Sequence, residues 1–250
     1  MDSRKINELR EKMLGCKERC NGVLNDIGNG IIPRGMIYEA SCSSGDSPLI
    51  VVVGPNPGNS SKKEKEKVKE INKINNLLKG LGFDGKPEEF FGKVNSSQSK
   101  NDSGEEYYPK IRKFIQCVME TLICDNGDME IYWTELIKCE GKINCYIINK
   151  CYENYLKEEI NLLKKLCQKR YFISIGKSSY EFLDSIPEMK EEFLIGIPHP
   201  SGRNKWYSYN DLCNKKEDLI VEVQNLLKNT NNDCRHRDLK DYFKKQGKDK

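Results

Sequence analysis

Apolar residues fall into short runs and into longer stretches with helical spacing, and the two kinds alternate along most of the chain. Four short runs, rich in β-branched residues and bounded by turn residues, predict strands buried on both faces: 47–53, 129–137, 171–176 and 193–198. Helices are predicted at 3–20, 108–123, 152–168, 178–183 and 211–229, and one more short strand at 36–40. Strands that alternate with helices predict an α/β fold around a parallel or mostly parallel sheet.

Two stretches depart from this alternation. Residues 62–80 predict a highly charged helix and residues 82–106 a loop rich in Gly, Ser, Asn and Asp, so we expect an insertion there. Residues 230–250 are polar and rich in Lys, which is typical of a flexible tail. The sequence therefore predicts a single domain over 1–229, with the insertion at 62–106, and a basic tail over 230–250.

Charge and composition narrow the class of protein only a little. Of 250 residues, 42 are basic and 38 acidic, so the net charge of +4 does not by itself indicate a nucleic-acid binder. The mean hydropathy is -0.73, and no apolar run approaches the ~20 residues of a membrane span. Since the N-terminus does not resemble a signal peptide either, we expect a cytoplasmic protein. Disulfides are rare in that compartment, which makes the 11 cysteines unusual.

A rigid loop, GPNPGNSS, follows the first core strand. Pro55 and Pro57 fix their own φ, and each biases the residue before it towards extended backbone. Gly54 and Asn56 are those residues, and Gly58 lets the chain approach a ligand closely. An amide held in this way can accept a hydrogen bond from a water while its N–H₂ group donates elsewhere, which is enough to position a nucleophile. The alternative is a rigid turn with a structural Asn.

A second polar loop, IPHPSGRNKW, follows the last core strand and contains His199, one of two histidines in the chain. Ser201 and neighbouring N–H groups can bind a phosphate, and Arg203 can bind one through two hydrogen bonds. A single loop His is more often structural than catalytic. Two such loops at the carboxyl ends of strands, however, lie where α/β sheets bind ligands, so we expect the functional site there.

The segment GKSS at 176–179 follows a strand and precedes a helix, as a phosphate-binding loop does. That motif needs a glycine at position 171, where the chain has Tyr171. The sequence therefore does not predict a nucleoside triphosphatase.

Four cysteines are candidate metal ligands. Cys16 and Cys20 are close together at the end of the first predicted helix, Cys139 follows the second core strand, and Cys151 precedes a helix. Four thiolates suit a structural zinc ion or an iron–sulfur cluster, and the spacing does not choose between them. A third interpretation is that all are ordinary thiols. Cys145 is a spare that could replace a ligand.

Together these motifs resemble the uracil-DNA glycosylase superfamily over roughly residues 10 to 228. GPNPGNSS is similar to the first catalytic motif of the mismatch-specific and single-strand-selective branches, which carry an Asn there, and HPSGRN resembles the second motif. The N-terminal cysteine pair and three further segments resemble the iron–sulfur branch: YWTELIKC, CYENYLKEEI and YFISIGKSSYEFL. The resemblance is thus a mosaic of branches. It implies a three-layer α/β/α sandwich with a central, mainly parallel four-stranded sheet.

The resemblance also implies hydrolysis of the N-glycosidic bond of a nucleotide that is flipped out of DNA. Asn56 would position the water that attacks C1′ of the deoxyribose, and His199 would hydrogen-bond O2 of the base and stabilise its developing charge. No Lys nucleophile is implied, so the product would be an abasic site. Tyr108, or its neighbour Tyr107, would stack on the flipped base. Further substrate contacts are implied for Gly54, Pro55, Gly58, Ser201 and Arg203.

A [4Fe–4S] cluster, with zinc as the alternative, is implied at Cys16, Cys20, Cys139 and Cys151. The first pair departs from the family by having the spacing C-x-x-x-C rather than C-x-x-C. The insertion at 62–106 is either a contact surface for DNA or a partner, or a solvated helix.

The departure with the largest consequence is Glu135. In YWTELIKC it stands where the iron–sulfur branch has an Asn that reads the edge of uracil. Ionised Glu can only accept hydrogen bonds, so it suits the N4 amino group of cytosine better than O4 of uracil. A cytosine-derived base, such as the hydroxymethylated or glucosylated cytosine of phage DNA, thereby joins uracil as a candidate. The alternative is that Glu135 points away into a salt bridge.

The function predicted from the sequence is a monofunctional, monomeric DNA glycosylase that acts on DNA in repair or in defence against phage. The rival hypothesis is a non-catalytic DNA-binding or damage-sensing protein on the same fold. The presence of both Asn56 and His199 argues against that rival.

Overall fold

The structure, a computed structural model, describes residues 3–16, 18, 20, 23–24, 29, 31, 33, 36–40, 47–56, 62, 65–66, 69–70, 107–123, 129–200, 216–228 and 235–243. The chain divides into two compact units. The cysteine unit comprises Met1–Ile37, Asn56–Gly104 and Thr134–Leu166. The sheet unit comprises Tyr38–Pro55, Glu105–Trp133 and Cys167–Lys250. The single domain predicted over 1–229 stays a prediction.

From residue 49 onward, each strand of the main sheet is separated from the next by at least one helix, as predicted. The strands are β1 (Val23–Leu24), β2 (Ile37–Ala40), β3 (Leu49–Gly54), β4 (Glu130–Glu135), β5 (Glu140–Gly141), β6 (Arg170–Ile175), β7 (Leu194–Ile197) and β8 (His236–Asp238). The α-helices are α1 (Ser3–Leu14), α2 (Tyr107–Phe114), α3 (Thr121–Ile123), α4 (Cys145–Cys151), α5 (Lys157–Leu166), α6 (Lys177–Ser185) and α7 (Lys216–Lys228). Among the described residues, no helix has the length and apolar character needed to cross a membrane.

The sheet unit is built on one sheet, whose order across the described residues is β2-β4-β3-β6-β7-β8. Strands β3, β6, β7 and β8 pair in parallel, with Val53 opposite Ser174 and Ile175 opposite Ile197. The carboxyl ends of β3, β6 and β7 therefore share one edge of the sheet. This is the α/β architecture with a mainly parallel sheet that the sequence predicts.

The four central strands are the four that the apolar runs predict. All residues of β3 and β7 are buried, because β-branched and other apolar side chains fill both faces of each strand. The sheet is wider than the four-stranded one that the resemblance implies, since β2 and β8 extend its two edges.

Gly196, in the middle of β7, has a packing role. A Cβ atom at this position would lie 2.6 Å from Cδ2 of Tyr180 on α6. The Tyr180 ring therefore lies directly on the backbone of β7, where only glycine leaves room for it.

Part of the predicted basic tail is ordered. Within 235–243, β8 pairs with β7, and a 3₁₀ turn at Lys240–Phe243 packs against that strand. Leu239 and Phe243 are buried, and the Phe243 ring lies 5.9 Å from that of Phe114. The prediction of a frayed tail over 230–250 is therefore wrong for 235–243, because two apolar anchors hold an otherwise polar segment.

The cysteine unit is mostly helical. Helix α1 packs against α5 and buries Ile6, Leu9 and Met13. It ends at Leu14, so Cys16 and Cys20 lie beyond it rather than on the helical turn that the sequence predicts. Strands β1 and β5 form a small antiparallel ribbon, with Val23 opposite Gly141.

Two π-helical segments lie between α-helices. One, Ile115–Glu120, joins α2 to α3, and the other, Tyr152–Leu156, joins α4 to α5. Such segments are rare and are frequent at functional sites. Of the predicted insertion at 62–106, residues 71–106 lie outside the described residues.

Candidate active site and cysteine group

Asn56 follows the buried strand β3 and belongs to the cysteine unit. Its Nδ2 donates a hydrogen bond of 2.9 Å to the backbone oxygen of Gly141 in β5. Because the N–H₂ end of the amide is held there, Oδ1 is the end that can accept a hydrogen bond from a water. The role of Asn56 in positioning a water stays a prediction.

Gly141 has a conformation that glycine is suited to. Its φ of 135° lies in a region that residues with a side chain rarely adopt. The carbonyl that anchors Asn56 therefore depends on a glycine 85 positions along the chain.

His199 belongs to the sheet unit and follows β7. It is half-buried, and burial lowers the pKa of its imidazole. A neutral imidazole donates one hydrogen bond and accepts one, which suits a residue that contacts a base carbonyl without carrying a charge.

Gly176 supports the His199 loop. It follows β6 with a φ of 83°, and its N–H donates to the backbone oxygen of Ile197 over 2.7 Å. A Cβ at position 176 would lie 3.4 Å from Cβ of His199. The glycine of GKSS thus has a structural role beside His199.

Tyr108, the predicted stacking aromatic, lies on α2. Its ring meets that of Trp133 edge to face, at 5.0 Å and 79°. The guanidinium of Arg112, one helical turn along, lies 5.2 Å from the centre of the same indole. Two residues of α2 therefore contact the same buried tryptophan of β4.

Glu135 is the last residue of β4, and its Oε2 atom is buried from solvent. The chain directly after it is held by Lys138, whose buried ammonium bonds to Thr134 Oγ1 and to Glu159 Oε2. Glu135 therefore stands on a strand end that a buried polar network fixes. The predicted DNA-contacting residues Gly58, Ser201 and Arg203 lie outside the described residues.

The four predicted ligand cysteines, Cys16, Cys20, Cys139 and Cys151, all belong to the cysteine unit. We call these four residues the cysteine group. Cys139 and Cys151 are buried and Cys16 and Cys20 are half-buried, whereas the spare Cys145 is exposed. Burial raises the pKa of the Cys139 thiol to about 12, and the nearby thiols of Cys151, Cys16 and Cys20 add to that rise. The structure thus brings these four thiols within electrostatic range of one another.

The residue type of the four predicted ligands suits an iron–sulfur cluster or a zinc ion. Four thiols with no competing His are the usual ligands of an iron–sulfur cluster or a structural zinc ion. Within the described part of the chain, no group of three or more Cys, His, Asp or Glu side chains is arranged to hold a metal ion. The cofactor at these four cysteines stays a prediction.

Comparison with known families gives the identity of the fold. The family model of the uracil DNA glycosylase superfamily matches residues 43–228. The chain belongs to this superfamily. No curated protein matches the sequence. Membership of the uracil DNA glycosylase superfamily supports DNA glycosylase activity, that is, hydrolytic base excision from DNA, as the general class of function.

Sequence reasoning missed four residues of this superfamily member that support the predicted site: Gly141, Gly176, Trp133 and Lys138. The two glycines carry no chemistry, and only their positive φ values reveal that they are needed. Trp133 stands within a predicted strand, where an aromatic residue is ordinary core. Nothing in the sequence marks Lys138 as a buried residue, because a lysine between an apolar run and a cysteine normally faces solvent.

Proposed function

We propose that this protein is a monofunctional DNA glycosylase in which Asn56 positions the attacking water and His199 stabilises the leaving base. The water oxygen forms a bond to C1′ of the deoxyribose as the N-glycosidic bond breaks. The water loses a proton to solvent and the departing base gains one, so the products are an abasic site and a free base. The observation that carries the proposal is the hydrogen bond from Asn56 Nδ2 to Gly141, which leaves Oδ1 to accept from that water.

His199 acts as a hydrogen-bond donor to O2 of the base. As the bond breaks, negative charge develops on the pyrimidine, and a donor fixed in advance stabilises it. Its burial, which lowers the pKa of the imidazole, keeps the ring neutral and the site free of a charge that would have to be desolvated.

Tyr108 stacks on the flipped base, and its edge-to-face contact with Trp133 holds the ring in place. Gly54, Pro55, Gly58, Ser201 and Arg203 contact the DNA backbone or the gap that the flipped nucleotide leaves.

Glu135 selects the base. Its carboxylate stands at the end of β4 with one oxygen buried, where it can accept but not donate when ionised. A cytosine-derived base offers the N4 amino group as a donor, while uracil offers O4, a second acceptor. We therefore infer that cytosine bases, including hydroxymethylated and glucosylated ones, are preferred over uracil. Such a preference would suit defence against modified phage DNA.

A [4Fe–4S] cluster is held by Cys16, Cys20, Cys139 and Cys151. When bound, it cross-links the segments that carry these residues and takes no part in the bond-breaking step. Cys139 is two residues from Gly141, whose carbonyl orients Asn56. The cysteine group therefore supports the catalytic amide through β5.

The test is base release from oligonucleotides that contain uracil, cytosine, 5-hydroxymethylcytosine or its glucosylated form. We expect faster release of a cytosine-derived base than of uracil, and Asn56→Ala to lower kcat by about 100- to 10,000-fold. Asn161→Ala, on α5, is the matched control and should leave the rate unchanged.

The proposed mechanism is wrong if Asn56→Ala releases the preferred base at the wild-type rate. Binding of modified DNA without release of any base would support the rival, a non-catalytic damage sensor. Glu135→Asn separates selectivity from catalysis, since it should shift the preference towards uracil while Asn56 and His199 remain.

A further inference from the structure

A short exposed stretch follows Gly141, the residue whose carbonyl holds the amide of Asn56. Residues 142–146 (KINCY) are all exposed, although they lie between the buried Glu140 and the buried Ile147. Asn56, Gly141 and this stretch all belong to the cysteine unit. The 142–146 segment therefore begins one residue from the backbone oxygen that binds Asn56.

Two side chains of the 142–146 segment are large, apolar and exposed. The exposed fractions are 39% for Ile143 and 62% for Tyr146. Among the large hydrophobic residues that the structure describes, only one other, Val221 on α7, is exposed. A single exposed apolar residue needs no explanation, but here two stand three positions apart in one segment. The segment therefore carries most of the exposed large apolar side chains in the described part of the chain.

Hydrogen bonds at both ends fix the backbone of the segment. Asn144 caps helix α4, and its Oδ1 accepts a hydrogen bond of 2.9 Å from the N–H of Ile147. At the other end, the carbonyl of Gly141 accepts from Asn56 Nδ2 over 2.9 Å. Because the backbone is already ordered, Tyr146 loses less conformational entropy when it binds a partner.

Ile143 also has a structural interpretation. It directly precedes the cap, and an apolar residue there often packs on the fourth residue of the helix, here the buried Ile148. Such a contact would account for Ile143. It would not account for Tyr146, which lies in the first turn of α4 and is the more exposed of the two. Tyr146 is therefore the residue that carries the inference.

The charge of the segment suits DNA, on which the uracil DNA glycosylase superfamily acts. Residues 141–150 contain Lys142 and Lys150 and no acidic residue. Lys142 is exposed, where its ammonium can contact a phosphate and add affinity without reading sequence. An aromatic side chain beside lysines is the combination that binds unstacked nucleotides, because every base has a face on which a ring can stack.

Distance along the chain places the segment near the proposed substrate. Ile143 is two residues and Tyr146 five residues from Gly141. Since an extended chain spans at most about 3.6 Å per residue, they lie within about 7 Å and about 18 Å of the Gly141 backbone. Bases stacked along one strand are about 3.4 Å apart. The segment therefore lies within about five nucleotides of a nucleotide bound at Asn56.

We propose that Lys142, Ile143 and Tyr146 form a second DNA-contact surface, on which Tyr146 stacks on a base that flanks the flipped nucleotide. This rests on the proposed function, because the surface is placed relative to Asn56. It adds to the contacts of the two motif loops and takes no part in the bond-breaking step.

The experiment measures binding to single-stranded and duplex oligonucleotides that carry a tetrahydrofuran abasic-site analogue. Fluorescence anisotropy gives the affinity at several salt concentrations, and 2-aminopurine at each flanking position reports stacking. Tyr146→Ala should bind about 5- to 100-fold more weakly and lose the 2-aminopurine signal of the wild type, whereas Tyr146→Phe, which keeps the ring, should retain both. Lys142→Ala should lower the slope of log K against log salt by about 1.

The matched controls remove similar side chains elsewhere. Val221→Ala shortens an exposed apolar residue on α7, and Lys5→Ala removes an exposed lysine on α1, so neither should change the affinity or the salt slope. Ile143→Ser should weaken DNA binding by the folded protein. A loss of thermal stability with unchanged DNA affinity would instead assign Ile143 to the contact with Ile148 and remove it from the surface.

Wild-type affinity and an unchanged 2-aminopurine signal in Tyr146→Ala would overturn the surface. If the same variant then altered sedimentation of the protein, the surface would belong to a second copy of this chain. The outcome for the surface is separate from that for the mechanism, because binding of the abasic analogue needs no base release and Asn56→Ala tests the latter. A wild-type protein that does not bind the analogue would overturn both proposals.

Discussion

The two units of the molecule are stabilised by different kinds of interaction. In the sheet unit, strands β3 and β7 are buried throughout and the pairing of β3, β6 and β7 is regular. In the cysteine unit, a buried ion pair and four neighbouring thiols stand beside the apolar contacts of α1 and α5. The sheet unit should therefore respond to changes of side-chain volume, and the cysteine unit to changes of charge and to loss of the proposed cofactor.

The largest effect on stability is expected from Glu159→Ala in the cysteine unit. It leaves the buried Lys138 ammonium without its carboxylate, which should lower the free energy of unfolding by about 3–5 kcal/mol. Urea denaturation monitored by circular dichroism measures this. Glu158→Ala, the exposed neighbour, is the control. Equal losses in the two variants would contradict a special role for charge in this unit.

The next effect concerns the backbone of the sheet unit. Gly176 has φ 83° and ψ 162°, a region that is essentially restricted to glycine, so Gly176→Ala should cost about 1–3 kcal/mol. Its Cβ would also meet that of His199, so base release should slow as well. Gly15→Ala, at a glycine with no positive φ, should change stability far less. A Gly176→Ala protein of wild-type stability and rate would count against this account.

Conservative shortening of a core side chain compares the units directly. Ile173 on β6 and Ile160 on α5 are both buried, and Ile→Val at either should cost about 0.5–1.5 kcal/mol. A chelator should lower the stability of the Ile160→Val protein further, because its unit carries the cysteine group. If both variants respond equally to chelator, the proposed division between the units fails.

His199 gives the sheet unit a dependence on pH. Because burial lowers its pKa in the folded protein, the unfolded chain binds a proton at higher pH than the folded chain does. The stabilisation from neutral His199 is thus present above the ordinary imidazole pKa of about 6.5 and is lost as the pH falls towards the folded pKa. Denaturation at about pH 7.5 and about pH 5 should show a smaller loss for His199→Asn than for wild type. A loss of the same size in both proteins would assign the dependence to other groups.

The smallest effect is expected at Lys12→Met. The ion pair with Glu158 is more than half exposed on both sides, so its loss should change the free energy of unfolding by about 0–1 kcal/mol, and less in high salt. A loss as large as that of Glu159→Ala would remove the distinction between buried and exposed charge on α5.

The elements that the sequence predicts well are those whose side chains define them. The core strands β3, β4, β6 and β7 follow from apolar runs that suit burial on both faces. Strand β8 could not be predicted in this way, because His236–Asp238 has no apolar pattern; its backbone pairs with β7, and polar side-chain bonds such as that of His236 to Asp184 hold it. The end of α1 at Leu14 was also missed, because charged residues continue the helical spacing beyond it.

The residues of the candidate site likewise fall into two groups, those that the sequence reveals and those that it does not. Asn56, His199 and the four cysteines are visible in the sequence because their residue types and the motifs around them indicate chemistry. Gly141 and Lys138 are not, since a backbone carbonyl and a buried ammonium act through partners that are distant in the chain or face inward. Contacts of that kind are fixed by tertiary structure, which no local pattern encodes.

The hydrogen bond between Asn56 and Gly141 also bears on the order of folding. A contact across so long a stretch of chain closes a large loop and forms only after more local structure exists. The helices, whose contacts are local, can be in place while the amide of Asn56 still rotates freely, whereas β3 pairs with β6 over a longer stretch of chain still, from Val53 to Ser174. The proposed water-positioning geometry would then form together with the long-range pairing of the sheet rather than with the local helices.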